Sequence, residues 1–153
     1  MSVGINSAAR RLCARAGWAI TNLKIQKLLY LAQMFHLGAT GQRLINTQFE
    51  AWDFGPVEPS LYRTVKIFGD KPIEDVFFHA REIDSATSEA QYLDNVCDQL
   101  ANWTPAKLVS ITHWSKGAWA KHYVPGIKGI IIPDQDIVDE YRARTAKTNA
   151  PAA

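Results

Sequence analysis

Hydrophobic residues along the chain fall into several stripes of helical period and a few short runs with a period of two. Ile25, Leu28, Leu29, Ala32 and Phe35 recur at spacings of 3, 1, 3 and 3, an apolar face more than a third of a helix circumference wide. Leu23, Leu31 and Met34 widen that face. A central helix touched on two sides is therefore predicted over 22–37. Thr21 or Asn22 can cap its start, Gly38 suits a left-handed stop, and Gly41 continues the turn. Upstream, Ala9, Leu12, Cys13 and Ala16 stand at i, i+3, i+4 and i+7. They predict a first helix capped by Asn6 or Ser7 and ended by Gly17.

The next run, Phe49-Glu50-Ala51-Trp52-Asp53-Phe54, alternates in the manner of a strand and stops abruptly at Gly55-Pro56. Pro59 suits the first turn of a helix carrying Leu61, Tyr62, Val65 and Phe68, which Gly69 ends. Asp75-Val76-Phe77-Phe78 is a candidate second strand. Ser85 or Thr87 opens a helix that buries Leu93, Val96, Cys97 and Leu100. Thr104-Pro105 opens another through Leu108, Ile111, Thr112 and Ser115. Ile130-Ile131-Ile132 is a candidate short buried strand, and Asp134 or Asp136 leads a last helix through Ile137, Val138 and Tyr141. Beyond residue 145 the periodicity is lost and a flexible tail is expected. The pattern predicts one α+β domain over 1–145, predominantly helical, with about six helices and two or three short strands in a small sheet.

Composition agrees with a single globular domain: 153 residues, 47% hydrophobic and 21% charged. No run of eighteen apolar residues is present, so no membrane helix is expected. Cys13 and Cys97 lie on predicted apolar stripes, where free thiols behave as small hydrophobes. A cytoplasmic protein is the expectation. The four histidines (His36, His79, His113 and His122) are scattered, with no metal-binding spacing, and no phosphate loop or nucleophile turn is evident. Neither a cofactor nor an enzymatic activity is expected. A Ser110–His113 pair lacks an orienting acid, and His113 reads better as a hydrogen-bonded packing residue beside Trp114.

Charge is distributed unevenly. Residues 1–49 hold Arg10, Arg11, Arg15, Lys24, Lys27 and Arg43 but no Asp or Glu, while the rest holds 11 basic and 15 acidic residues. Unless internal ion pairs cancel it, this leaves a basic face suited to an acidic partner or to nucleic acid. Lys24 and Lys27 sit in the first turns of their helix, where the macrodipole disfavours a positive charge. Glu50 and Asp53 are the internal candidates to offset that cost, and an external acidic partner is the alternative.

The segment from Asn22 to Gln33, NLKIQKLLYLAQ, followed by Phe49-Glu50-Ala51-Trp52-Asp53-Phe54-Gly55-Pro56-Val57 and then Tyr62, resembles the Panacea domain. That family comprises phage-associated proteins and SocA-like antitoxins, one branch of which are proteolytic adaptors. The likeness extends over roughly 5–145, with weaker echoes at His113, Trp119, Gly129-Ile130-Ile131 and Tyr141. Its most specific part is Ala-Trp-x-x-Gly-Pro-Val behind the leucine-rich helix. The resemblance implies an antitoxin that neutralises a cognate toxin by binding it. An alternative it implies is an adaptor that delivers the toxin to the ClpXP protease.

On the residues' own chemistry, Gly55-Pro56-Val57-Glu58-Pro59 is a rigid strand-to-helix corner, since two prolines fix two backbone angles. Trp52 either packs into the core or serves as a preorganised anchor for a partner, and a half-covered ring would do both. The candidate partner-binding residues are Arg10, Arg11, Arg15, Lys24, Lys27, Trp52, Asp53, Gly55, Pro56 and Val57. Nucleic acid is a lesser alternative partner: the arginines and lysines can track phosphates, but no recognition helix is evident.

Overall fold

The leucine-rich segment forms α2 (Asn22–Thr40), and nearly every residue of it from Ile25 to Leu37 is buried. A computed structural model describes residues 1–149 of the chain. Thr21 caps α2, its hydroxyl accepting from the Lys24 amide, and Gly41 ends it in the left-handed conformation at φ 76°. Gly38 therefore does not stop the helix. It remains helical because the ring of Tyr141 lies directly on it: a Cβ there would fall 2.0 Å from the Tyr141 Cγ. This glycine serves close helix packing.

Four of the other helices surround α2. α1 (Ile5–Arg15) and α4 (Ser88–Leu100) pack on each other and on α2, and α5 (Pro105–Thr112) and α7 (Asp134–Asn149) cover its other sides. α1 is preceded by Gly4 as its N-cap, two to three residues earlier than the expected Asn6 or Ser7 cap. α4 and α5 start at the threonine caps Thr87 and Thr104. A short α6 (Ala118–His122) brings the described residues to seven α-helices where the hydrophobic pattern indicated six. It is a single turn, too short to leave a periodic signature.

The small sheet is a hairpin of β1 (Glu50–Trp52) and β2 (Gly55–Val57), with Glu50 opposite Val57, Ala51 opposite Pro56 and Trp52 opposite Gly55. The expected strand thus does not end at Gly55-Pro56 but turns back through Asp53-Phe54. Gly55, at φ 112°, accepts a conformation closed to other residues. Pro56 is tolerated because its missing amide lies on the sheet edge. The chain then enters α3 (Pro59–Val65), whose first turn is capped by the Glu58 carboxylate accepting from the Leu61 amide, and a 3-10 turn (Lys66–Phe68) ends at Gly69.

The other two candidate strands differ from expectation. Asp75-Val76-Phe77-Phe78 is irregular, because Asp75 turns its carboxylate onto the Phe77 amide and pairs with Arg10. Ile130-Ile131-Ile132 makes one bridge beside β1, with Ala51 N–H donating to Ile130 and Ile132 N–H to Phe49. Gly129 and Pro133 bracket it too closely for a longer ladder. At the other end, α7 runs to Asn149, past residue 145, and residues 150–153 of the expected tail lie outside the described residues.

The core is tied together by a buried polar knot. The Tyr30 hydroxyl donates to Glu140 at 2.7 Å, and the Ala118 amide donates to the same oxygen at 2.9 Å. Arg144 pairs with the second Glu140 oxygen, so the buried carboxylate is fully satisfied. No helix among the described residues is long and apolar enough to cross a membrane.

Candidate partner-binding pocket

The tight hairpin turn is seated on α2 through Lys27, whose side chain is wholly buried. Its Nζ donates to the Pro56 carbonyl at 3.0 Å. The absence of a side chain at Gly55 makes the room, since a Cβ there would stand 2.9 Å from the Lys27 Cε and 3.1 Å from the Thr112 hydroxyl. Burial without a carboxylate partner pulls the ammonium down from 10.5 to about 7. Gln26, one residue earlier, accepts the Glu58 amide at 2.8 Å. Two consecutive polar residues of a buried helix thus fix the backbone of the Gly-Pro-Val strand. The expected compensation by Glu50 and Asp53 does not occur: Lys27 uses a carbonyl, and Lys24 donates to the Ala101 carbonyl just beyond α4.

Glu50 and Asp53 instead fasten the 123–129 loop to the hairpin. Glu50 accepts from the Trp52 indole N–H at 2.9 Å and from the Gly129 amide at 3.0 Å. Asp53 accepts from the Gly126 amide at 2.9 Å and the Tyr123 hydroxyl at 2.8 Å. The Gly126 bond, then the Tyr123 bond, holds the Asp53 carboxyl below its usual range.

Between this loop, the hairpin, α3 and the start of α2 lies an open cavity of about 430 Å³. Its apolar walls come from Leu23, Val57, Phe54, Ile127 and the rings of Trp52 and Tyr62. Trp52 is half-buried and meets Tyr62 edge-on at 4.9 Å, which answers the choice between core and surface with both. Phe54, at the tip of the hairpin, is 70% exposed. Lys66 and Lys128 stand at the rim, and Lys128 Nζ lies 4.2 Å from the Trp52 ring centre. A concave, largely apolar cavity with a few charged groups has the composition of a recognition site.

The structure therefore brings together Lys27, Trp52, Asp53, Gly55, Pro56 and Val57, and places the others elsewhere. Arg10 pairs with Asp75 at 3.0 Å, and Arg11 grips Asp94 through two bonds of 2.9 Å. Arg15 grips Asp98 at 2.7 and 2.8 Å and also reaches Asp94. The basic stripe of α1 is thus neutralised by acids of α4 and of the 70–80 segment. Arg43 pairs with Asp134 at the start of α7. The four arginines of the acid-free first third find their counter-ions in the later chain, whereas its two lysines use carbonyls.

His113 is a packing residue as expected, with a backbone hydrogen bond to Phe54, but its aromatic neighbour differs. It stacks on Trp119, not Trp114, at 3.7 Å with the rings nearly parallel, and Trp119 stacks in turn on Tyr123 at 4.4 Å. Its buried Nε2 has no hydrogen-bond partner among the described residues. Burial, and then the charge of Lys27, makes the imidazole harder to protonate. The Trp119 indole donates to the Trp52 carbonyl at 2.8 Å, so this aromatic stack braces the hairpin from behind. Sequence reasoning did not single out Leu23, Phe54, Lys66, Ile127 or Lys128 as site residues. Tyr62 carried a signal through its place in the motif, whereas the 126–128 segment joins the pocket only through long-range folding.

The family model described as "Antitoxin SocA-like, Panacea domain" matches residues 25–120, which include the hairpin, α3 and the Lys27 seat. The chain belongs to the SocA-like Panacea family. Antitoxin SocA of Caulobacter vibrioides (strain NA1000 / CB15N) is 32% identical to it over 145 residues, covering 86% of this chain and 77% of that protein. No solved structure matches it. Within the Panacea segment the matched residues build the hairpin wall of the pocket, while Gly126, Ile127 and Lys128 of the facing wall lie beyond it.

Proposed function

We propose that this chain is the antitoxin of a toxin–antitoxin pair and neutralises its toxin by direct protein–protein binding at the Trp52 pocket. One observation carries the location: a concave apolar cavity with an exposed aromatic rim is built on the Ala-Trp-x-x-Gly-Pro-Val segment, which lies within the residues matched to the family. Trp52, Asp53 and Val57 line the contact surface, and Gly55, Pro56 and Lys27 hold its shape. A half-buried tryptophan whose ring is already fixed loses little entropy on binding, which is what an interface anchor needs. The arginines of α1 and Lys24 have internal partners and contribute to the fold in this reading.

The test is co-purification with the protein encoded in the adjacent open reading frame, coupled to rescue of growth when both are expressed. The wild type is expected to pull down the toxin and restore growth, and Trp52→Ala to lose both while remaining folded. A toxin bound equally well by Trp52→Ala would remove the pocket from the interface. Direct neutralisation is separated from delivery to ClpXP by repeating the rescue in cells lacking that protease: direct binding predicts that rescue persists, whereas an adaptor, which acts by raising toxin concentration at the protease, would fail.

A further inference from the structure

The charges and hydrogen bonds left unused around the pocket specify what it takes. The Trp52 indole N–H is engaged by Glu50, so the ring offers a partner only apolar surface. Asp53, the carboxylate of the lining, accepts both Gly126 and Tyr123 on its Oδ1. The Lys27 amine is committed to the Pro56 carbonyl. What remains is the apolar wall of Leu23, Val57, Tyr62 and Ile127, the second oxygen of Asp53, and two rim cations, Lys66 and Lys128, that outnumber that one carboxylate. Neither Lys66 nor Lys128 forms an ion pair among the described residues. Lys128 rests on the faces of Trp52 and Tyr62, at 4.2 and 5.9 Å from the ring centres, and exerts a lesser pull on Asp53.

We infer that the pocket receives an acidic peptide segment of the partner protein, with a large apolar side chain seated against Trp52 and Tyr62 and flanking carboxylates on Lys66 and Lys128. This rests on the antitoxin reading for the identity of the partner, but not for the chemistry of the pocket. Lys128 is held by cation–π contact alone on its ring side, an interaction of roughly 0.5–1 kcal/mol at an exposed site. A carboxylate can therefore engage its ammonium while the stem continues to cover the ring. A nucleic acid also carries anions, but two cations around an apolar hollow do not make a phosphate track, and the arginines that would extend it are paired.

The experiment is selection of a phage-displayed random peptide library on the immobilised full chain, with Trp52→Ala as the counter-selection. Enriched peptides are expected to carry an aromatic or large aliphatic residue next to Asp or Glu. A synthetic peptide of the enriched sequence should bind Lys66→Glu/Lys128→Glu about tenfold more weakly than wild type, and raised salt should weaken it too. Both lysines are exposed, so this variant retains its fold even if Trp52→Ala does not. Enrichment of basic or uncharged peptides would overturn the inference, as would binding indifferent to both lysines. An oligothymidine that binds wild type and is lost in the lysine variant would assign the pocket to nucleic acid and overturn it equally. If the peptides behave as expected but no toxin co-purifies, the antitoxin reading fails and the pocket chemistry stands. If a toxin co-purifies and ignores both lysines, the reverse holds.

Discussion

The arginines of α1 and the lysines around the hairpin carry the same charge in the same third of the sequence or facing it, and the fold treats them differently. Arg11 and Arg15 meet Asp94 and Asp98 in two-pronged contacts that join α1 to α4. Their donors point at acids of their own chain. Lys66 and Lys128 line a cavity and form no ion pair among the described residues, and Lys128 rests on the rings of Trp52 and Tyr62. Lys27 is a third case, a cation buried for the sake of one carbonyl. Net charge of a segment therefore says little about partners until the internal pairs have been assigned. The surface that remains available is the one whose polar groups are unused and whose apolar groups are uncovered.

The contrast can be broken most severely at the hairpin seat. Gly55→Ala forces a side chain into φ 112° and onto Lys27 and Thr112, and should cost about 3 kcal/mol in urea denaturation. A loss under ~0.5 kcal/mol would show that the Lys27 seat does not fix the turn.

Lys27 itself should give stability an unusual pH dependence. Its folded value is near 7 and its ordinary value 10.5. Between these the unfolded chain binds a proton that the folded chain does not, so stability rises with pH across the window, by at most about 1.4 kcal/mol per pH unit. Below pH 7 both states are protonated and this contribution is flat. Lys27→Met should remove the rise, as read from denaturation midpoints at pH 7 and pH 9. A wild-type slope that survives the substitution would place its origin elsewhere.

On the arginine side the effect is smaller. Asp94→Ala deprives Arg11 of its two bonds and Arg15 of one contact, and should lower stability by about 1 kcal/mol without changing toxin affinity. The loss should shrink in high salt. An affinity change without a stability change would make this face an interface after all.

Much of the helical frame was legible because long amphipathic stripes and polar caps are local signals: α2 begins at Thr21, one of the two candidates Thr21 and Asn22, α4 at Thr87, one of Ser85 and Thr87, and α5 at Thr104. What escaped was set by distant contacts. Gly38 looks like a stop until Tyr141 is placed on it, and the acid-free first third looks like a binding face until Asp94 and Asp98 are folded against it. The pocket was half visible. Trp52 and Gly55-Pro56-Val57 stand together in the sequence, but Lys128 joins them through long-range contacts, among them the bonds of Glu50 and Asp53 to the 126–129 backbone. Residues 75–78 have the composition of a strand, and a single aspartate turn diverts them.

The most direct test compares two variants for affinity toward the toxin by titration calorimetry. One is Trp52→Ala; the other is Arg15→Asp with Asp98→Arg, which keeps the ion pair and inverts its sign. If the hairpin pocket grips the toxin, Trp52→Ala weakens binding roughly a hundredfold and the inverted pair leaves it within about twofold. The opposite ranking, with the tryptophan variant binding normally and the inverted pair not, would contradict the account.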